Sequence, residues 1–93
     1  MNNYKTIIEI GSYSIKTIIY SEYNGDSKII GTGKSRTLGY TGNAIENIDD
    51  FIDCIKNSVV QSEKQANYII KEAYILMTNS SINIKKIKKD LIL

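Results

Sequence analysis

The chain has no proline, no histidine and no tryptophan, and one cysteine among its 93 residues. Without proline there is no proline-rich linker to divide it. Without histidine, a Cys–His catalytic pair and a zinc site of mixed His and Cys ligands are excluded. A single cysteine leaves no internal disulfide and accords with a reducing compartment. Cys54 lies inside an amphipathic pattern, where it reads as a packing residue.

Long apolar runs are also missing. None approaches the roughly 18 residues of a membrane-spanning helix. The opening "MNNYKTIIEIGS" has a short apolar core broken by Glu9 and lacks the long apolar stretch and small-residue cleavage site of a signal peptide, so the expected location is the cytoplasm. The net charge of +2 is too small to argue for a nucleic-acid partner. Of 12 basic residues only Arg36 is arginine. Lysine is simply common here, which weakens any functional reading of a basic stretch. That applies to "IKKIKKDLIL" at the end, where lysines alternate with isoleucines as on a basic amphipathic helix. A frayed strand or helix is the simpler account of it.

What remains is an ordinary globular composition, 42% apolar and 24% charged, enough for one modest core. Tyr4 to Ile10 and Ile15 to Tyr23 read as strands. "YNGDS" carries Asn-Gly, a strong hairpin signal. Lys28 to Thr32 opens a third strand, in which Gly31 and Gly33 mark a bulge or a close approach of backbone. A glycine-marked loop, Thr37 to Ile45, leads to a helix capped by Asn47, with Asp49 and Asp50 complementing its dipole. Ile48, Phe51, Ile52, Ile55, Val59, Ser62 and Ala66 form its predicted buried stripe, with Lys56, Glu63 and Lys64 facing away. Ala73 to Thr78 is a fourth strand, and from Ile82 onward the pattern permits helix or strand. The fold class is α/β: a three-stranded antiparallel meander, a helix over one face, and a strand that can rejoin the sheet by a crossover connection.

The most informative stretch is "EIGSYSIK", residues 9 to 16. A plain hairpin accounts for it. A phosphate-binding turn accounts for it as well. Gly11 lets backbone approach closely, and the N–H groups of Ser12 and Tyr13, with the Ser12 hydroxyl, can form an anion-binding nest. Lys16 supplies positive charge, and Glu9 could hold a hydrated magnesium ion.

"IIEIGSYSIKTIIY" resembles the first phosphate-binding hairpin of the actin-like ATPase superfamily. "IIGTGKSRTLGYTGNAIENIDDFIDCI" and "EAYILMTNSSI" narrow the likeness to the FtsA family of bacterial cell division proteins. Ser35, Arg36, Gly42, Ile45, Ile48 and Ile55 fall where that family's pattern would place them. The likeness runs from about Thr6 to Ile82. Most of the superfamily has aspartate at the position of Glu9, while FtsA-like members can carry glutamate. Gly39 is displaced from the family's usual glycine beside Ser-Arg.

The resemblance implies a partial actin-like (ribonuclease H-like) first lobe. Residues 1–72 would begin the first subdomain, and 73–93 would supply a fourth strand and the entry into the inserted strand-helix-strand subdomain. It also implies ATP and Mg as cofactors, FtsZ and other divisome proteins as partners, self-association, and a place at the cytoplasmic face of the inner membrane at the division site. FtsA-like proteins are several times longer, so the chain is expected to be a truncated or split N-terminal fragment. The second phosphate loop, the adenosine pocket, the FtsZ-binding lobe and the membrane helix have no counterpart here. As a single chain it is not expected to act as an enzyme. Two alternatives stand beside this reading. One is a fragment of another actin-like ATPase of the PilM type. The other is a small interaction module that pairs through an open sheet edge.

Overall fold

The computed structural model describes residues 3–78 and 82–88, the last seven as backbone only. Alternation of β-branched and polar residues builds β1 (Asn3–Ile10), β2 (Ser14–Tyr23) and β3 (Asp26–Arg36). They form an antiparallel meander as expected. Asn24 and Gly25 both take positive φ, 51° and 84°, the backbone of a two-residue type I′ hairpin turn. Helix α1 (Ile48–Ala66) follows, and then β4 (Glu72–Thr78), which pairs in parallel with β1. The ambiguous last stretch is a strand: β5 (Ile82–Lys88) lies antiparallel to β4. The sheet order is β3-β2-β1-β4-β5, so α1 carries the chain from one edge across the meander to the far side of β1.

One face of this sheet carries the core. Ile8, Ile10, Ile15 and Ile19 are buried from the strands, and Phe51, Cys54, Ile55 and Val59 from the helix, with Ile70 and Ala73 completing the cluster. Each large apolar side chain so buried contributes about 1.5–3 kcal/mol. Cys54 is the packing residue expected, and its Sγ also accepts the Leu38 N–H at 3.3 Å.

Both readings of Gly31 and Gly33 hold. The β2–β3 register shifts between Ile19 and Tyr20, whose partners are Gly31 and Ile29, so Ile30 is the extra residue of a bulge. The helix also lies directly on these glycines. A β-carbon at Gly33 would fall on the Ser58 carbonyl, and one at Gly31 on the Ser62 carbonyl.

That contact rotates the helix away from the expected stripe. Ile48 is 52% exposed and Ile52 only half-buried, while Cys54 and Ser58 join Phe51, Ile55, Val59 and Ser62 on the buried face. Small serines sit where the helix touches strand backbone, and their hydroxyls are bonded: Ser58 with Thr17 at 2.7 Å, Ser62 to the Val59 carbonyl at 2.7 Å. Glu63 does not face fully outward either. It is half-buried, and its carboxylate accepts the Ile70 N–H at 2.8 Å. Asn47 caps the helix as expected, its Oδ1 accepting from Asp50 N–H at 3.1 Å. Asn67 closes the other end in the left-handed region, its N–H donating to the Glu63 carbonyl.

Candidate phosphate-binding turn

The turn between β1 and β2 is fixed by its own backbone and by one later residue. Gly11 N–H donates to the Ser14 carbonyl at 3.0 Å. Thr37 then holds the turn twice: its N–H donates to the Tyr13 carbonyl at 3.0 Å and its hydroxyl to the Gly11 carbonyl at 2.7 Å. The loop after Thr37 also closes on the turn, so that a β-carbon at Gly42 would stand 3.4 Å from the Ser12 Cβ. Thr37 and Gly42 thereby engage the carbonyls and one flank of the turn. Among the described residues, no protein group takes the backbone N–H of Ser12 or Tyr13, or the Ser12 hydroxyl. Tyr13 is 88% exposed. A turn with the Gly11, Tyr13 and Ser14 carbonyls engaged and its donors open is the arrangement an anion needs.

Glu9 and Lys16 are direct partners across the β1–β2 ladder. Successive residues of a strand alternate faces. With Ile8, Ile10, Ile15 and Thr17 buried toward α1, Glu9 and Lys16 stand on the opposite face. The same row continues to Lys34 on β3 and to Leu76 on β4. Thus the structure brings all five sequence-predicted residues to one end of one hairpin: Gly11, Ser12 and Tyr13 in the turn, Glu9 and Lys16 just behind it. It adds a second cation, Lys34, beside Lys16. Sequence reading passed over Lys34 because lysine is common and the cross-strand register was not visible. It missed Thr37 because the turn's carbonyls find their partner 24 residues or more away along the chain. Only the placement of a hydroxyl residue directly after Ser35-Arg36 hinted at it.

Among the described residues no three metal-ligating side chains gather at one place. One carboxylate next to open phosphate donors does fit magnesium, which keeps most of its water and binds through a single carboxylate and phosphate oxygens.

The loop that supports the turn is ordered by its own contacts. Tyr40 stacks on Phe51 with ring centroids 5.0 Å apart, Tyr40 bridges to Ile45, and Gly39 O accepts from Glu46 and Asn47 N–H. Ser35 donates its hydroxyl to the Cys54 carbonyl at 2.6 Å. The displaced glycine, Gly39, takes φ 75°, and a β-carbon there would fall on the Asn47 carbonyl, so this position serves the entry to the helix.

Comparison with known proteins adds a likeness of sequence. The chain is 35% identical over 77 residues to the cell division protein FtsA of Buchnera aphidicola subsp. Schizaphis graminum, covering 82% of this chain and 18% of that protein. The chain is similar to FtsA over most of its length. It is 25% identical over 80 residues to FtsA of Streptococcus pneumoniae serotype 2, and 29% identical over 73 residues to FtsA of Staphylococcus epidermidis. These matches cover 86% and 78% of this chain, and 18% and 16% of the relatives. The chain therefore spans less than a fifth of the length of the FtsA proteins it matches. No family model matches it. The FtsA likeness and the α/β fold are those expected from the sequence. No helix among the described residues is long and apolar enough to cross a membrane.

Proposed function

We infer that this FtsA-like stretch serves cell division as the opening of an actin-like first lobe, and that its β1–β2 turn receives nucleotide phosphate. The observation that carries the reading is the turn itself: open donors at Ser12 and Tyr13, backed by Glu9 and Lys16 in register. In that role Ser12 and Tyr13 donate hydrogen bonds to phosphate oxygens. Lys16 neutralises their charge, with Lys34 adding to the local field. Glu9 holds a hydrated magnesium ion, which would offset phosphate charge. Linking an FtsZ ring to the membrane, recruiting further division proteins and residence at the division site belong to this proposal as roles of a longer protein. So does the assignment of residues 1–72 to the first subdomain and 73–93 to the entry into an inserted one.

One hairpin encloses little of a nucleotide, whereas binding pockets normally bury most of their ligand. The 93-residue chain alone should therefore bind Mg-ATP only weakly and not hydrolyse it. Isothermal titration calorimetry tests this. Absence of micromolar binding is expected, and micromolar binding abolished by Lys16→Ala would overturn the view that enclosure is incomplete. Reading the coding sequence beyond Leu93 tests the larger proposal. A continuation, in the same or an adjacent frame, into a second glycine-rich phosphate loop is expected. Its absence would contradict a role as part of a complete FtsA-like lobe.

A further inference from the structure

Among the described residues β3 is an edge strand, bonded to β2 on one side only. An exposed edge presents unpaired N–H and C=O groups that invite another strand. In this molecule two of those positions are already taken, by side chains of α1. Lys34 N–H donates to Gln61 Oε1 at 3.1 Å, and Gln61 Nε2 donates back to the Lys34 carbonyl at 2.9 Å. That two-way exchange is the pattern of a hydrogen-bonded pair between antiparallel strands. Two residues along, Thr32 N–H donates to Gln65 Oε1 at 2.6 Å. Gln61 is also oriented from behind, donating to Asn57 Oδ1 at 3.2 Å.

The spacing explains why a helix can do this. Four residues of α-helix rise about 6.0 Å, and two residues of strand about 6.6 Å. Glutamines at 61 and 65 therefore meet the outward-pointing groups of residues 34 and 32. Contact is close enough only because Gly31 and Gly33 admit the helix backbone at Ser62 and Ser58. The glycines set the approach and the glutamines use it.

We propose that Gln61 and Gln65 act as a surrogate neighbour strand that keeps β3 closed to strand addition, and that the partner they exclude is β3 of a second copy of this chain. An antiparallel pair of identical edges is self-complementary about a two-fold axis, each outward N–H and C=O finding its counterpart. The outer half of β3 supplies apolar surface for such a pair: Ile29 is 61% exposed, beyond the reach of the glutamine contacts. This proposal is independent of the nucleotide reading.

The test is sedimentation velocity with amide hydrogen exchange on the full 93-residue chain. The wild type should be monomeric, with the Thr32 and Lys34 amides protected. Gln61→Met/Gln65→Met keeps length and helix propensity but removes the amides; its sedimenting mass should double as concentration rises. Adding Thr32→Pro, which deletes an outward N–H and leaves the β2 ladder intact, should restore the monomer. A folded double variant that stays monomeric while both amides exchange freely would overturn the proposal. If the double variant fails to fold, the single variants Gln61→Met and Gln65→Met each open one position of the edge. One or both must then show dimer formation at high concentration for the proposal to stand.

Discussion

Gly33 and Ser58 meet with no room for a β-carbon between them. The contact sets the distance between α1 and the sheet, and so the depth of the whole core. Gly33→Ala should force the helix outward and cost about 1–3 kcal/mol, the usual range for overpacking. Urea denaturation should show a lower midpoint with little change in slope. An unchanged midpoint would mean that the helix can shift freely, against this account.

Thr17 and Ser58 are buried and share a hydrogen bond of 2.7 Å. Removing either hydroxyl strands the other in the core, at about 1–3 kcal/mol. Thr17→Val and Ser58→Ala should each destabilise. The double variant should lose clearly less than the sum, because it leaves no orphan. Additive losses in a double-mutant cycle would show that the two hydroxyls are energetically independent.

Asn47 accepts the Asp50 N–H at the start of α1. Asn47→Ala should lower stability by about 1 kcal/mol, and Asn47→Asp should keep it near the original value. Thermal unfolding followed by circular dichroism separates the two. Equal loss in both variants would assign Asn47 a role other than capping.

Thr37 ties the turn down through its hydroxyl, which donates to the Gly11 carbonyl. Thr37→Val keeps the shape and removes that bond. Amide exchange at Gly11, whose N–H is bonded to the Ser14 carbonyl, should accelerate while the core strands keep their protection. Unchanged exchange at the turn would show that the Thr37 backbone bond alone suffices.

The strands and helix were legible because their signals are local. Alternation, Asn24-Gly25 and the Asn47 cap each act within a few residues. The turn at Gly11 to Tyr13 was legible for the same reason, since the residues that would touch phosphate are consecutive. What escaped the sequence depends on register and approach distance. The helix face was misjudged because apolar periodicity favours Ile48, whereas the helix is turned by glycines on another element. Those glycines demand serines at the contact. Lys34 joins Lys16 only through the β2–β3 ladder. Gln61 and Gln65 look like solvent-facing helix residues until the edge of β3 is placed beside them. The open edge anticipated from an incomplete sheet is, at Thr32 and Lys34, already occupied.

The central claim is that Ser12 and Tyr13 present open donors to phosphate in a turn this stretch cannot enclose. A ¹H–¹⁵N titration of the 93-residue chain with Mg-ATP, repeated on Lys16→Ala, tests it most directly. The account predicts shifts concentrated at the Ser12 and Tyr13 amides, approaching saturation only in the millimolar range or beyond, and much reduced in Lys16→Ala. Turn amides that stay still throughout the titration would contradict it.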